Sequence, residues 1–121
     1  VEKDILLSYL ILPIVTYTPM QIFLKHARRN SSVRTMTSNS NRLVGLAIRV
    51  EEFKPVTNAA LLILASEKRL EITSELSVRS RKKPHAINSD KALLRYSQKL
   101  AMVLSNENVV SIYRMLGLKS L

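Results

Sequence analysis

Two histidines and nine carboxylates are the groups from which an active site or metal centre would have to be built in this 121-residue chain. His26 and His85 lie far apart, and neither sits at ligand spacing from a carboxylate, so no metal site is indicated. Glu51 and Glu52 are adjacent; on a helix their side chains diverge by about 100° and form no acid–base pair. No Gly-x-Ser-x-Gly elbow appears, and 2 glycines cannot build a phosphate loop. Cysteine is absent, which excludes disulfides, thiolate metal sites and cysteine nucleophiles. These residues predict a chain without catalysis, cofactor or small-molecule substrate.

The remaining chemistry is cationic. The chain carries 19 Lys and Arg against 9 Asp and Glu, a net charge of +10, which favours polyanionic partners and says nothing about fold. From Ile5 to Val50 there is no acidic residue, whereas Lys25, Arg28, Arg29, Arg34, Arg42 and Arg49 are basic. A second acid-free stretch, Leu76 to Ser89, holds Arg79, Arg81, Lys82 and Lys83. Lys25, Arg28, Arg29, Arg34, Arg79, Arg81, Lys82 and Lys83 are thus the candidate nucleic-acid contacts, through phosphates and not bases. The plainer alternatives are solvated faces or contacts with an acidic protein. Base readout is disfavoured because Asn58 to Lys68, the candidate recognition helix, contains no Arg.

The elements that would position these groups are mostly helical. With 2 Gly, 4 Pro and 5% aromatic residues, a small barrel or sandwich is excluded. Length and 46% apolar content suit one domain, residues 1–121, with one core. Thr18 as cap and Pro19 at the first position predict a helix to about Ala27, with Ile22, Phe23 and Ala27 inward. Asn30 to Asn41 reads as a polar loop. Asn41 would then cap a helix from Arg42 to Phe53 or Lys54, packed through Leu43, Leu46, Ala47, Val50 and Phe53. Pro55 stops it, and Thr57 caps a second helix, Asn58 to Lys68, packed through Ala60, Leu61, Leu64 and Ala65. Two helices joined by so short a turn form a helix-turn-helix. Leu70 to Thr73 and Leu76 to Arg79 alternate as a hairpin turning at Ser74-Glu75, the wing of a winged helix. A long helix capped by Asn88 or Ser89 follows, then a last one from Ser105 or Asn106 to Leu116, ended by Gly117. The expected fold is mainly α, a single helical domain with a winged-helix-like β-hairpin.

Ile5 to Val15 is an apolar run broken by Ser8 and Pro13, and periodicity cannot separate a core helix from a strand. It is too short to cross a bilayer, which takes about 20 residues, and Val1-Glu2-Lys3-Asp4 is no signal-peptide flank. With Val1 in place of an initiating Met, the chain is expected to begin inside a longer natural one, and to work in the cytoplasm. A segment apolar on every side exceeds what a small core needs, so Leu6, Leu7, Leu10, Ile11 and Ile14 are the candidate partner interface.

Leu6-Leu7-Ser8-Tyr9-Leu10-Ile11-Leu12-Pro13-Ile14 resembles the "LLYLVLPL" opening of the middle-component proteins of bacterial three-component ABC systems. Arg42 to Leu70, with Arg49, Val50, Pro55, Thr57, Ala59-Ala60-Leu61 and Arg69-Leu70, is similar to that family's central "PxT-x-EAL" region. Leu100 to Gly117 matches its closing pattern at Ile112, Leu116 and Gly117. Asn58 and Ala59 stand where the family has an acidic residue, and no Trp precedes the last helix. The resemblance implies a non-enzymatic subunit bridging an SMC-like ABC ATPase and an effector, often a nuclease, in Lamassu-like anti-phage or anti-plasmid defence. The rival expectation is a stand-alone winged-helix DNA-binding transcriptional regulator, which would dimerise on a palindrome.

Overall fold

The computed structural model describes residues 5–67, 70–72, 78–80 and 91–118. Its first element is a helix, α1 (Ile5–Val15), with Pro13 in the last turn. Gln21 Nε2 donates to the Val15 carbonyl at 2.8 Å, satisfying an acceptor that the helix end leaves open, and Thr16 Oγ1 adds a second bond, at 2.6 Å, to the Leu12 carbonyl that already accepts the Thr16 N–H. The chain then bends by 101° into α2 (Thr18–Lys25). Tyr17, not Thr18, is the N-cap, and Pro19 sits in the first turn. After so sharp a bend Met20 and Leu24 point inward, while Ile22, expected inside, is 60% exposed. The helix stops at Lys25, two residues short of the expected end. Arg28 and Arg29 therefore do not continue its surface; the Arg28 N–H donates to Ser31 Oγ at 2.9 Å.

The polar stretch expected to be a loop contains α3 (Val33–Thr37). Ser32 and Thr35 close a capping box around its start, and Val33 and Met36 enter the core. Asn39 caps a 3-10 turn at Ser40–Leu43. Serine, threonine and asparagine here serve helix ends.

The largest correction concerns α4 (Leu46–Ser66), one continuous helix. It starts after Gly45, whose φ of +69° is the left-handed conformation glycine adopts freely. Pro55 lies inside it. A proline there removes one intrahelical bond and costs about 3 kcal/mol in an isolated helix. Pro55 faces solvent, so water reaches the carbonyl it leaves free, while Val50 and Thr57 are buried on the other side. Tyr9 Oη also donates to Asn58 Oδ1, tying the segment beyond the proline to α1. Packing on α1 on both sides of Pro55 holds the helix straight through.

No turn separates the two expected helices, so the helix-turn-helix does not exist and the winged-helix-like reading falls with it. Beyond α4, β1 (Leu70–Ile72) and β2 (Val78–Ser80) pair antiparallel, with Glu71 opposite Arg79. This three-residue ladder does not make a wing, and the fold is mainly helical. The expected cap residues Asn88 and Ser89 lie outside the described residues.

Helix α5 (Lys91–Leu104) packs through Leu100, Val103 and Leu104. Helix α6 (Val109–Met115) begins at Asn108, later than expected, because Asn108 Oδ1 accepts from the Ser111 N–H at 2.8 Å. Gly117, at φ +76°, ends it as expected and lets the Leu118 N–H reach the Tyr113 carbonyl at 2.9 Å.

Three further side chains tie the elements together. Arg49 Nε donates to the Pro13 carbonyl at 3.3 Å, and its guanidinium lies 3.6 Å over the Tyr17 ring. Lys99 Nζ on α5 donates to the Ala27 carbonyl at 2.7 Å. Tyr113 Oη on α6 donates to the Leu6 carbonyl at 2.6 Å.

Burial, then the neighbouring Tyr9, push the Tyr113 phenol above its ordinary value of 10.0. A raised folded-state value means that this stabilisation is complete below the unfolded value and is lost as pH rises toward the folded one. Tyr113→Phe is expected to cost about 1 kcal/mol in urea unfolding at neutral pH. The difference from wild type should close above a pH of about 10.

Candidate partner-docking surfaces

The residues expected on α1 as a partner interface divide between two faces. Leu10 and Ile14 are 0% exposed and belong to the core, so they are not interface residues. Leu6 is one turn before Leu10 on that inward stripe and is half-buried against the core. Leu7 and Ile11, also one turn apart, line a cleft of about 230 Å³ with Leu100, Ala101 and Leu104 of α5. Ser97, Ser105 and Glu107 complete its wall. Small side chains at Ser97 and Ala101, where α5 faces α1, leave this space unfilled.

A second apolar surface was missed by the sequence reading. With 1.5 Å of rise per residue, the 21 residues of α4 span about 31 Å and the 11 of α1 about 16 Å. Helix α4 packs mainly on α1, which is too short to cover it. Leu46, Val50 and Thr57 face the core, and on the opposite side of the helix Ile48, Val56, Leu62 and Ile63 are exposed, at 65%, 53%, 70% and 56%. Of the residues expected to pack the second half, Ala60 is exposed and Leu61, Leu64 and Ala65 are half-buried. The hydropathy of Ala59 to Ala65 marks an apolar helix but cannot say how many neighbours surround it.

The basic residues fall into two groups. Arg42 Nη1 donates to the Thr35 and Met36 carbonyls at 3.1 and 3.2 Å, and its guanidinium lies 4.6 Å over the Phe23 ring. Arg49 is likewise held inside, and burial lowers its pKa from the ordinary value against the opposing pull of Tyr17 and Glu52. Lys25, Arg28, Arg29 and Arg34 are exposed and form no ion pair among the described residues. Arg79 lies on β2, while Arg81, Lys82 and Lys83 lie outside the described residues. Among the described residues no three of His, Asp and Glu gather closely enough to hold a metal, and no single helix is long and apolar enough to cross a membrane.

The burial pattern predicts opposite responses to truncation. Leu10→Ala should cost about 2–5 kcal/mol by loss of transfer energy and creation of a cavity. Leu62→Ala should change stability by no more than about 0.5 kcal/mol. Urea unfolding of the two variants measures both.

No curated protein and no solved structure matches the chain significantly. Residues 1–120 match the family described as ABC-three component system middle component 3. That span includes the opening, central and closing stretches on which the resemblance rested, and the chain belongs to this middle-component family of the ABC three-component systems.

Proposed function

We propose that this chain is a non-enzymatic cytoplasmic adaptor that bridges an SMC-like ABC ATPase and an effector, often a nuclease, in a Lamassu-like anti-phage or anti-plasmid complex. The observation that carries this reading is the presence of two apolar surfaces that share no residue, the α1–α5 cleft and the uncovered side of α4. One surface would serve a simple accessory subunit; a bridge needs two. Membership in a middle-component family supports the same role. The regulator reading depended on a recognition helix set off by a turn, and α4 has no such turn.

Tandem affinity capture tests the bridge. With the ATPase and effector encoded beside it, the wild-type chain should enter one complex containing all three proteins. Capture of neither would end the adaptor reading.

Lys25, Arg28, Arg29 and Arg34, joined by the candidates Arg79, Arg81, Lys82 and Lys83, supply sequence-independent contact with DNA phosphates in this reading. Each phosphate neutralised adds about 0.9 to the slope of log affinity against log salt. Replacing Lys25, Arg28 and Arg29 by Ala should therefore flatten the slope for the assembled complex by about two to three units, equally on unrelated sequences. An unchanged slope would remove these residues from the DNA contact.

A further inference from the structure

The α1–α5 cleft has a composition that narrows what can occupy it. Its floor is apolar, from Leu7, Ile11, Leu100 and Leu104, and its volume is about 230 Å³. Sites that enclose whole small-molecule ligands are mostly larger, at roughly 300–1,000 Å³. A space of this size suits one or two side chains of a segment lying across it.

The charge around the cleft is more specific than its shape. Residues 5–50, which supply one wall, contain no Asp or Glu. Residues 91–118, which supply the other, contain only Glu107, and Glu107 lies on the cleft. Its carboxylate makes no hydrogen bond or ion pair among the described residues, although the chain carries a net charge of +10. The single carboxylate of both walls is thus left unpaired beside the apolar floor.

We infer that the cleft receives an amphipathic helical segment of a partner protein, which seats apolar side chains between Leu7, Ile11 and Ala101 and brings a Lys or Arg to Glu107. The inference rests on the adaptor reading and assigns one of its two interfaces. Helix-in-groove recognition works this way, with apolar anchors one turn apart giving affinity and a charged neighbour fixing register. An acidic residue at that position of the segment would be repelled by Glu107.

The chain has no cysteine, so Ala101→Cys provides a unique attachment point. Ala101 is exposed, and its replacement leaves the core untouched. A benzophenone maleimide placed there, in the complex with the ATPase and effector encoded beside this chain, should photo-cross-link to one of the two proteins. Mass spectrometry should place the adduct on an apolar peptide containing Lys or Arg. Glu107→Lys should lower the yield about tenfold, and reversing that partner cation to Glu should restore it. An adduct within this chain or on a second copy, one on a peptide without a cation, or none at all would overturn the inference. If wild-type capture still retrieves both partners in that case, the adaptor reading survives. Capture of neither would end both.

Discussion

One guanidinium decides how the first half of the molecule is arranged. Arg49 projects from the first turn of α4 to the carbonyl of Pro13 at the end of α1, and it also donates to the Val44 carbonyl before its own helix. Its plane lies over Tyr17, the residue at the bend between α1 and α2. A cation at a helix C-terminus and one over an aromatic ring each contribute about 0.5–1 kcal/mol. Those energies are modest, but the geometry is exacting, because three chain segments must converge on one planar group. The position of Gly45 follows from the same convergence: a Cβ there would stand 3.2 Å from Arg49 Nη1. The arrangement has a cost, since among the described residues Nη2 is buried without a hydrogen-bond partner and burial lowers the pKa of the group.

With α1 fixed in this way, it becomes the helix on which the others assemble. Leu10 and Ile14 enter the core, Tyr9 reaches α4, and the Leu6 carbonyl receives Tyr113 from α6. The remaining face, through Leu7 and Ile11, is covered incompletely because α5 presents Ser97 and Ala101 to it. Both candidate surfaces therefore arise from α1. One is the gap beside it, and the other is the side of α4 that faces away from it.

Much of this was legible in the residues, and the failures have physical causes. The helical class followed from scarce Gly and Pro, and Gly117 marked its helix end by the need for a left-handed residue. Pro55 misled because its local preference for stopping a helix was overridden by packing on α1. Ser32, Thr35 and Asn39 misled in the other direction, since the side chains that make a stretch look like a loop are also those that cap helices. On α1 the separation of Leu7 and Ile11 from Leu10 and Ile14 was invisible, because an almost wholly apolar segment offers no contrast from which to read a face. The basic clusters were legible as charge only; that Arg42 and Arg49 serve carbonyls and rings inside the protein depends on tertiary contacts.

The bond between Tyr113 and Leu6 joins residues 107 positions apart, and the other main neighbours of α1 also follow it in the chain. On the ribosome α1 is made before α4, α5 and α6, which cover it. At roughly 5–20 residues per second, its apolar side chains wait on the order of 5–20 s for α6 to emerge. A nascent chain with so much uncovered apolar surface is a natural client for chaperones and a seed for aggregation. The yield of folded protein thus depends on the pace of translation as well as on the stability of the finished fold.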